Sequence, residues 1–400
     1  MSVEAWRWRE ALLLLVALEL PLGHAAAGLV LLAVIAIGER FSGEPLWVRT
    51  PFDLGLLGLL GVSVASGLAS EWRPNALASA AMLGLTAWVI VRAMMLASRR
   101  RRAFSAWFLG TWAAFGVLAS AWALGRLGGS PDARAELPGL DFNELGVSLA
   151  VTLVLLMGFS LQGSPRRRLL AGLGLPLVAL GLVLTFSRGA WLAAAAGIGS
   201  LLAAAGAPRR WHAVAAVIIP IIVAAPFLAP RWAWHLDRLR SVAVAEGPFS
   251  RLALWRVVPA IIADHPLIGT GLGTFQFAYE RYRRDSSAVA FAPFAHNLFL
   301  NFAAETGLLG LVALLLMLGG GLLALLRWLR RAAGDPEARL LGAMTLAASV
   351  TLLAHQMIDG TALRVHLAVG LFALLGLGAA GAINVHQSAA MRVDEPRETS

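Results

Sequence analysis

Apolar runs long enough to cross a bilayer recur along the whole chain, and short arginine-bearing segments separate them. In hydrocarbon every backbone N–H and C=O needs an internal partner, so runs of this length are read as helices. Hydropathy and loop punctuation place twelve of them, near 11–22, 25–38, 53–69, 74–97, 103–126, 141–162, 168–186, 189–206, 211–229, 296–326, 338–358 and 363–383. The composition agrees, with 58% hydrophobic and only 14% charged residues. The expected fold is an all-α polytopic membrane protein, with residues 1–400 forming one membrane domain. The N-terminal "WRWREALLLLVALELPLGHAAAG" imitates a signal peptide, but an uncleaved first span fits the topology better.

Arginine sets the orientation. Arg7, Arg9, Arg40, Arg49, Arg99 to Arg102, Arg166 to Arg168, Arg209, Arg210, Arg327, Arg330, Arg331 and Arg339 all fall on one side of the alternating spans. That side is expected to be cytoplasmic and to hold both termini, including a polar tail at 385–400. A net charge of +10 would point to nucleic acid in a soluble chain; here it is mostly a topology signal. No nucleic-acid partner is expected. The chain has no cysteine, which removes disulfides, thiolate chemistry and Cys-bound metals.

One loop breaks the charge rule. Residues 230–295 are expected outside, as a large periplasmic loop bearing short helices, yet they hold Arg231, Arg238, Arg240, Arg251, Arg256, Arg281, Arg283 and Arg284. The plain reading is a solvated basic loop touching headgroups; the sharper one is a site for an anionic, membrane-borne substrate. Within it, "SRLALWRVVPAIIADHPL" reads as a short amphipathic helix at the interface, ended by Pro266.

Several residues stand out against this frame. Arg188, in "LTFSRGAWLAAA", sits at a junction of two spans without a loop to solvate it, and such an Arg is either functional or snorkelling. Arg251 and Arg256 are five apart, so on one helix they diverge by roughly 140° and do not share one ligand. Arginine suits a diphosphate, since its planar fork donates paired hydrogen bonds and stays charged. His296 opens the next span and is the side chain best able to take a proton near neutral pH; a structural, hydrogen-bonded His is the alternative. Asn297, Asn301 and Glu305 form an i, i+4, i+8 stripe that must face protein or a wet cavity.

Other features carry less. "GTGLGTF" has the wrong spacing for a nucleotide loop and reads as a tight turn. His355 and Asp359, with Arg364 beyond them, read as an internal ion-pair network rather than a metal pair. Glu19 and Glu144 satisfy local partners near span ends. No Asp-rich diphosphate–metal motif and no nucleophile elbow is present.

"SRGAW", then "SRLALWRVVPAIIADHPLIGTGLGTF", then "AHNLFLNFAAETGLLG" together resemble the O-antigen ligase and polysaccharide polymerase superfamily of bacterial membrane glycosyltransferases, over Thr185 to Gly310. The ligase pattern of His, Asn, a fixed gap, Gly and a second small residue is met by His296, Asn297, Gly307 and Gly310. The resemblance implies that Arg188 and Arg251, with Arg256 as the alternative to Arg251, bind a lipid-linked diphosphate. It implies that His296 is the general base. Asn297 and Asn301 are taken as further substrate-lining residues. The implied donor is a glycan on undecaprenyl diphosphate, and the implied acceptor is a lipid A–core sugar at the periplasmic face of the inner membrane. No cofactor, nucleotide or metal is expected. A polymerase or a protein O-oligosaccharyltransferase shares the same motif logic. A transporter or flippase is disfavoured, because no inverted repeat or matched pair of broken helices is visible.

Overall fold

The computed structural model describes residues 49–100, 102–127, 134–162, 164–208, 251–283, 292–359 and 365–393, and every named element among them is helical. In chain order these are α1 (Asp53–Ala69), α2 (Arg73–Arg100), α3 (Arg102–Gly125), α4 (Phe142–Leu161), α5 (Pro165–Leu184), α6 (Arg188–Ala205), α7 (Arg251–Asp264), α8 (Phe275–Tyr282), α9 (Leu298–Arg331), α10 (Pro336–Gln356) and α11 (Val365–Val393), with a 3-10 turn at Ala332–Gly334. Seven of these, α2 to α6, α9 and α10, are long and apolar enough to cross a membrane. Shorter apolar helices lie at Asp53–Ala69 and Ala368–Asn384. The expected spans at 11–22, 25–38 and 211–229 fall outside the described residues. α11 runs to Val393, so the first part of the stretch expected as a polar tail is helical.

Local chemistry fixes the helix ends. Asp141 caps α4 and Glu144 reaches back to the Asp141 N–H, a reciprocal capping box. Pro165 and Pro336 open α5 and α10 at positions where a missing N–H costs nothing. α4 lies at the centre, with 94% of its apolar window buried against 28% for α5 at the edge. α6 packs on α10, α2 on α11, and α1 on α9. In lipid such contacts rely on close van der Waals approach rather than on apolar burial. At Gly55 of α1 a Cβ would collide with the Met317 backbone of α9, so the glycine permits backbone contact. The intramembrane charge Arg92 is neutralised by Asp53, with Nη2 3.0 Å from Oδ1.

At 34 residues α9 is well over the roughly 20 residues that a transmembrane helix needs. Its helical geometry breaks at Gly307 (φ 67°, ψ −172°), a backbone region open essentially to glycine. The segment Pro266–Thr274 docks there. Leu308 N donates to Pro266 O (2.8 Å), and Leu309 N donates to Leu267 O (3.2 Å). In return Thr270 N donates to Ala304 O (3.1 Å) and Gly271 N to Glu305 O (2.8 Å). "GTGLGTF" is thus more than a tight turn: it replaces the rungs that α9 loses. A second small core of Leu254, Val258, Ile261, Phe275, Tyr279 and Ala304 joins α7 and α8 to the first turns of α9.

Candidate active site

The site grows from the start of α9. Asn297 is the N-cap, its Oδ1 accepting from Phe299 N and Leu300 N at 3.0 and 3.1 Å. Its Nδ2 donates to Met357 O (2.9 Å), which pins the start of α9 to the end of α10. The preceding residue, His296, has φ 51°. That conformation costs a non-glycine residue about 1–2 kcal/mol and persists because its surroundings hold it. Ala295 N donates to Asn301 Oδ1 (2.9 Å), and Trp255 Nε1 of α7 donates to Ala295 O (2.8 Å).

The strained backbone aims the imidazole at Asp359. His296 Nδ1 lies 2.8 Å from Asp359 Oδ1, and Arg251 Nη2 lies 2.8 Å from Asp359 Oδ2. The Asp359 side chain is 1% exposed, while those of His296 and Arg251 are 29% and 34% exposed. Burial alone would push the Asp359 carboxyl up. The hydrogen bond from His296 and the nearby Arg251 charge outweigh burial and hold it below its ordinary value. An ionised carboxylate only accepts, so Nδ1 carries the proton and donates. When the ring is neutral, the lone pair is then on Nε2.

The second cation comes from the α5–α6 turn. Ser187 caps α6, its Oγ accepting from Ala190 N (3.4 Å) and donating to Asn143 Oδ1 on α4 (2.7 Å). Arg188 follows, exposed in the first turn of α6. The next residue, Gly189, packs against the end of α10: a Cβ there would stand 3.4 Å from His355 Cδ2 and 3.6 Å from Ile358 Cγ2. Among the described residues the two non-glycines with positive φ are Phe186 and His296, one on each approach to this site.

Of the expected site residues, Arg251 and His296 meet on Asp359, and Arg188 directly precedes Gly189, which packs against the end of α10. Arg256 is exposed, on a different face of α7 from Arg251. Asn301 and Glu305 are buried, at 0% and 1% exposure, and Asn301 Oδ1 serves the frame by accepting from Ala295 N. Asn297, buried with both amide atoms engaged, also serves the frame. Asp359 does belong to an internal ion-pair network, as expected, and its side-chain partners are His296 and Arg251. Asp359 spends its carboxylate on His296 and Arg251, His355 is sealed beneath Gly189, and Arg364 lies outside the described residues. Asp359 is the residue that sequence reasoning undervalued. Its one signal was an acid placed just past the end of an apolar helix.

Residues 173–315, which hold Arg188, Arg251 and His296, match the family model described as O-antigen ligase. No curated protein gives a significant match to the chain.

Proposed function

From the premise of an O-antigen ligase segment at residues 173–315, we propose that this membrane protein transfers a glycan from undecaprenyl diphosphate to an acceptor sugar hydroxyl, that of a lipid A–core, at the periplasmic face of the bacterial inner membrane. The observation that carries this reading is Asp359 holding a base with one carboxylate oxygen and a phosphate-type cation with the other.

The chemistry follows from those atoms. The acceptor oxygen bonds to the anomeric carbon as the bond from that carbon to the diphosphate oxygen breaks. His296 Nε2 takes the hydroxyl proton. Asp359 keeps the ring in the correct tautomer and stabilises the imidazolium. The leaving diphosphate takes the electron pair, and its charge is met by Arg188 and by the N–H groups of Arg251 that Asp359 does not use. A diphosphate leaves readily, so no general acid is required, and arginine supplies the charge that a metal would otherwise bring.

The test is a proteoliposome assay with undecaprenyl-diphosphate-linked glycan, lipid A–core acceptor and a chelator. Glycan on the acceptor with release of undecaprenyl diphosphate supports a ligase. Elongated donor points to a polymerase, and glycan on an added protein acceptor points to protein glycosylation. Solute uptake without any transfer overturns the reading.

A further inference from the structure

The seam between α9 and the glycine segment has one residue at its centre. The Glu305 carbonyl accepts both Gly271 N (2.8 Å) and Ser66 Oγ of α1 (2.9 Å). Its carboxylate Oε1 accepts Phe275 N, the first N–H of α8, at 2.8 Å. One residue therefore ties α1, the glycine segment and α8 to α9. Gly269 and Gly307 let the two backbones touch: a Cβ on Gly269 would collide with the Glu305 backbone, and one on Gly307 with the backbone of Leu267. Ser70 Oγ adds a bond to Thr270 O (2.6 Å).

The seam also lies between the two halves of the site. α7 carries Arg251 and runs through Pro266 directly into the docked segment, while the turns of α9 before the break follow His296. Glu305 itself is 1% exposed and does not reach substrate. We propose that Glu305 is a positioning residue, which fixes Arg251 relative to His296 by holding the Pro266–Phe275 segment in the break of α9. The inference rests on the proposed function for its consequence in catalysis, but not for its geometry.

Because the chain has no cysteine, two introduced cysteines can be spin-labelled without background. Leu252→Cys on α7 and Met357→Cys beside Asp359 are suitable, both being exposed. Double electron–electron resonance is expected to give one narrow distance in the parent. Glu305→Gln keeps an acceptor for Phe275 N; it should keep that distance and transfer activity within about threefold. Glu305→Ala should broaden the distance and lower kcat by at least about tenfold, the scale set by ångström-size misplacement of reacting groups. The pH profile should keep its shape in both. An unbroadened distance in Glu305→Ala, or a Glu305→Gln as inactive as Glu305→Ala, overturns the proposal; the latter would instead make Glu305 a proton carrier. Should Glu305→Ala not purify as a monodisperse species, Glu305→Asp withdraws the carboxylate from Phe275 N by one methylene, and a distance as narrow as the parent's would contradict the idea. The distance is read without turnover, so it stands apart from the transferase reading, which fails if His296→Ala transfers normally.

Discussion

His296 Nδ1 and Asp359 Oδ1 lie 2.8 Å apart, although 63 residues of sequence separate them. The contact joins the strained start of α9 to the turn that ends α10, and through the second carboxylate oxygen it brings in Arg251 from α7. The imidazole proposed as base, the carboxylate that orients it and a cation are thereby placed by three separate elements. Each can be removed in turn.

Asp359→Asn should keep the shape of the site and lose its electrostatics. The amide does not fix the Nδ1–H tautomer or stabilise the imidazolium, so transfer should fall on the order of 10- to 100-fold, as when the partner orienting a functional imidazole is removed. Steady-state transfer assays on the purified variant check this. Activity equal to the parent would make the contact structural only.

The same substitution should change the pH dependence of stability. Because the folded pKa of Asp359 lies below its unfolded value, the native state binds fewer protons than the unfolded state. Its contribution is complete above the ordinary carboxylate value of about 3.9 and is lost as pH falls from there through the lowered folded value. Thermal unfolding in detergent between neutral and strongly acidic pH should show this acid-side loss in the parent and a flatter curve in Asp359→Asn. At neutral pH the variant should be less stable by about 1–3 kcal/mol, the range for removing one partner of a buried hydrogen bond, since Arg251 and His296 are themselves about a third exposed.

The three arginines should separate. Arg188→Ala removes the exposed cation in the first turn of α6 and should cost about 10²- to 10³-fold in kcat, the scale of losing one charge-stabilising donor. Arg251→Ala should cost at least about tenfold more activity than Arg256→Ala, because α7 turns Arg251 alone toward Asp359. Equal losses at 251 and 256 would contradict the geometry.

Gly307→Ala tests the break in α9. An alanine there must adopt φ 67°, ψ −172° and place its Cβ against the Leu267 backbone. The strain alone costs about 1–3 kcal/mol, so a lower Tm is expected together with lower transfer. A Tm unchanged from the parent would mean that α9 runs through Gly307 as ordinary helix.

The spans were legible because hydropathy reports local physics. Nine of the expected runs lie on described helices, and α7 ends at Asp264, just before Pro266. Counting spans puts Arg188, Arg251 and His296 on one side of the membrane, and the structure joins Arg251 and His296 through Asp359. Asp359 was not legible in the same way. Helical spacing shows a residue only its i+3 and i+4 neighbours, which made His355 the apparent partner, whereas the actual partners lie 63 and 108 residues away. The break at Gly307 was hidden because an apolar run begins at Leu308 directly after it, and hydropathy does not register a backbone that leaves the helix. The glycines of "GTGLGTF" did announce a turn, and three of them have positive φ, but not the helix into which it docks. The polar stripe was visible too, while the assignment of Asn301 to the frame depended on Ala295 N, a partner that helical spacing did not identify.

The central claim is that His296, held by Asp359, takes the acceptor proton while arginines receive the diphosphate. Its most direct test is the transfer rate of His296→Ala against the parent, in proteoliposomes with undecaprenyl-diphosphate-linked glycan and acceptor. The account predicts a loss of about 10²- to 10⁴-fold in a folded, membrane-inserted variant. A rate equal to the parent's would contradict it.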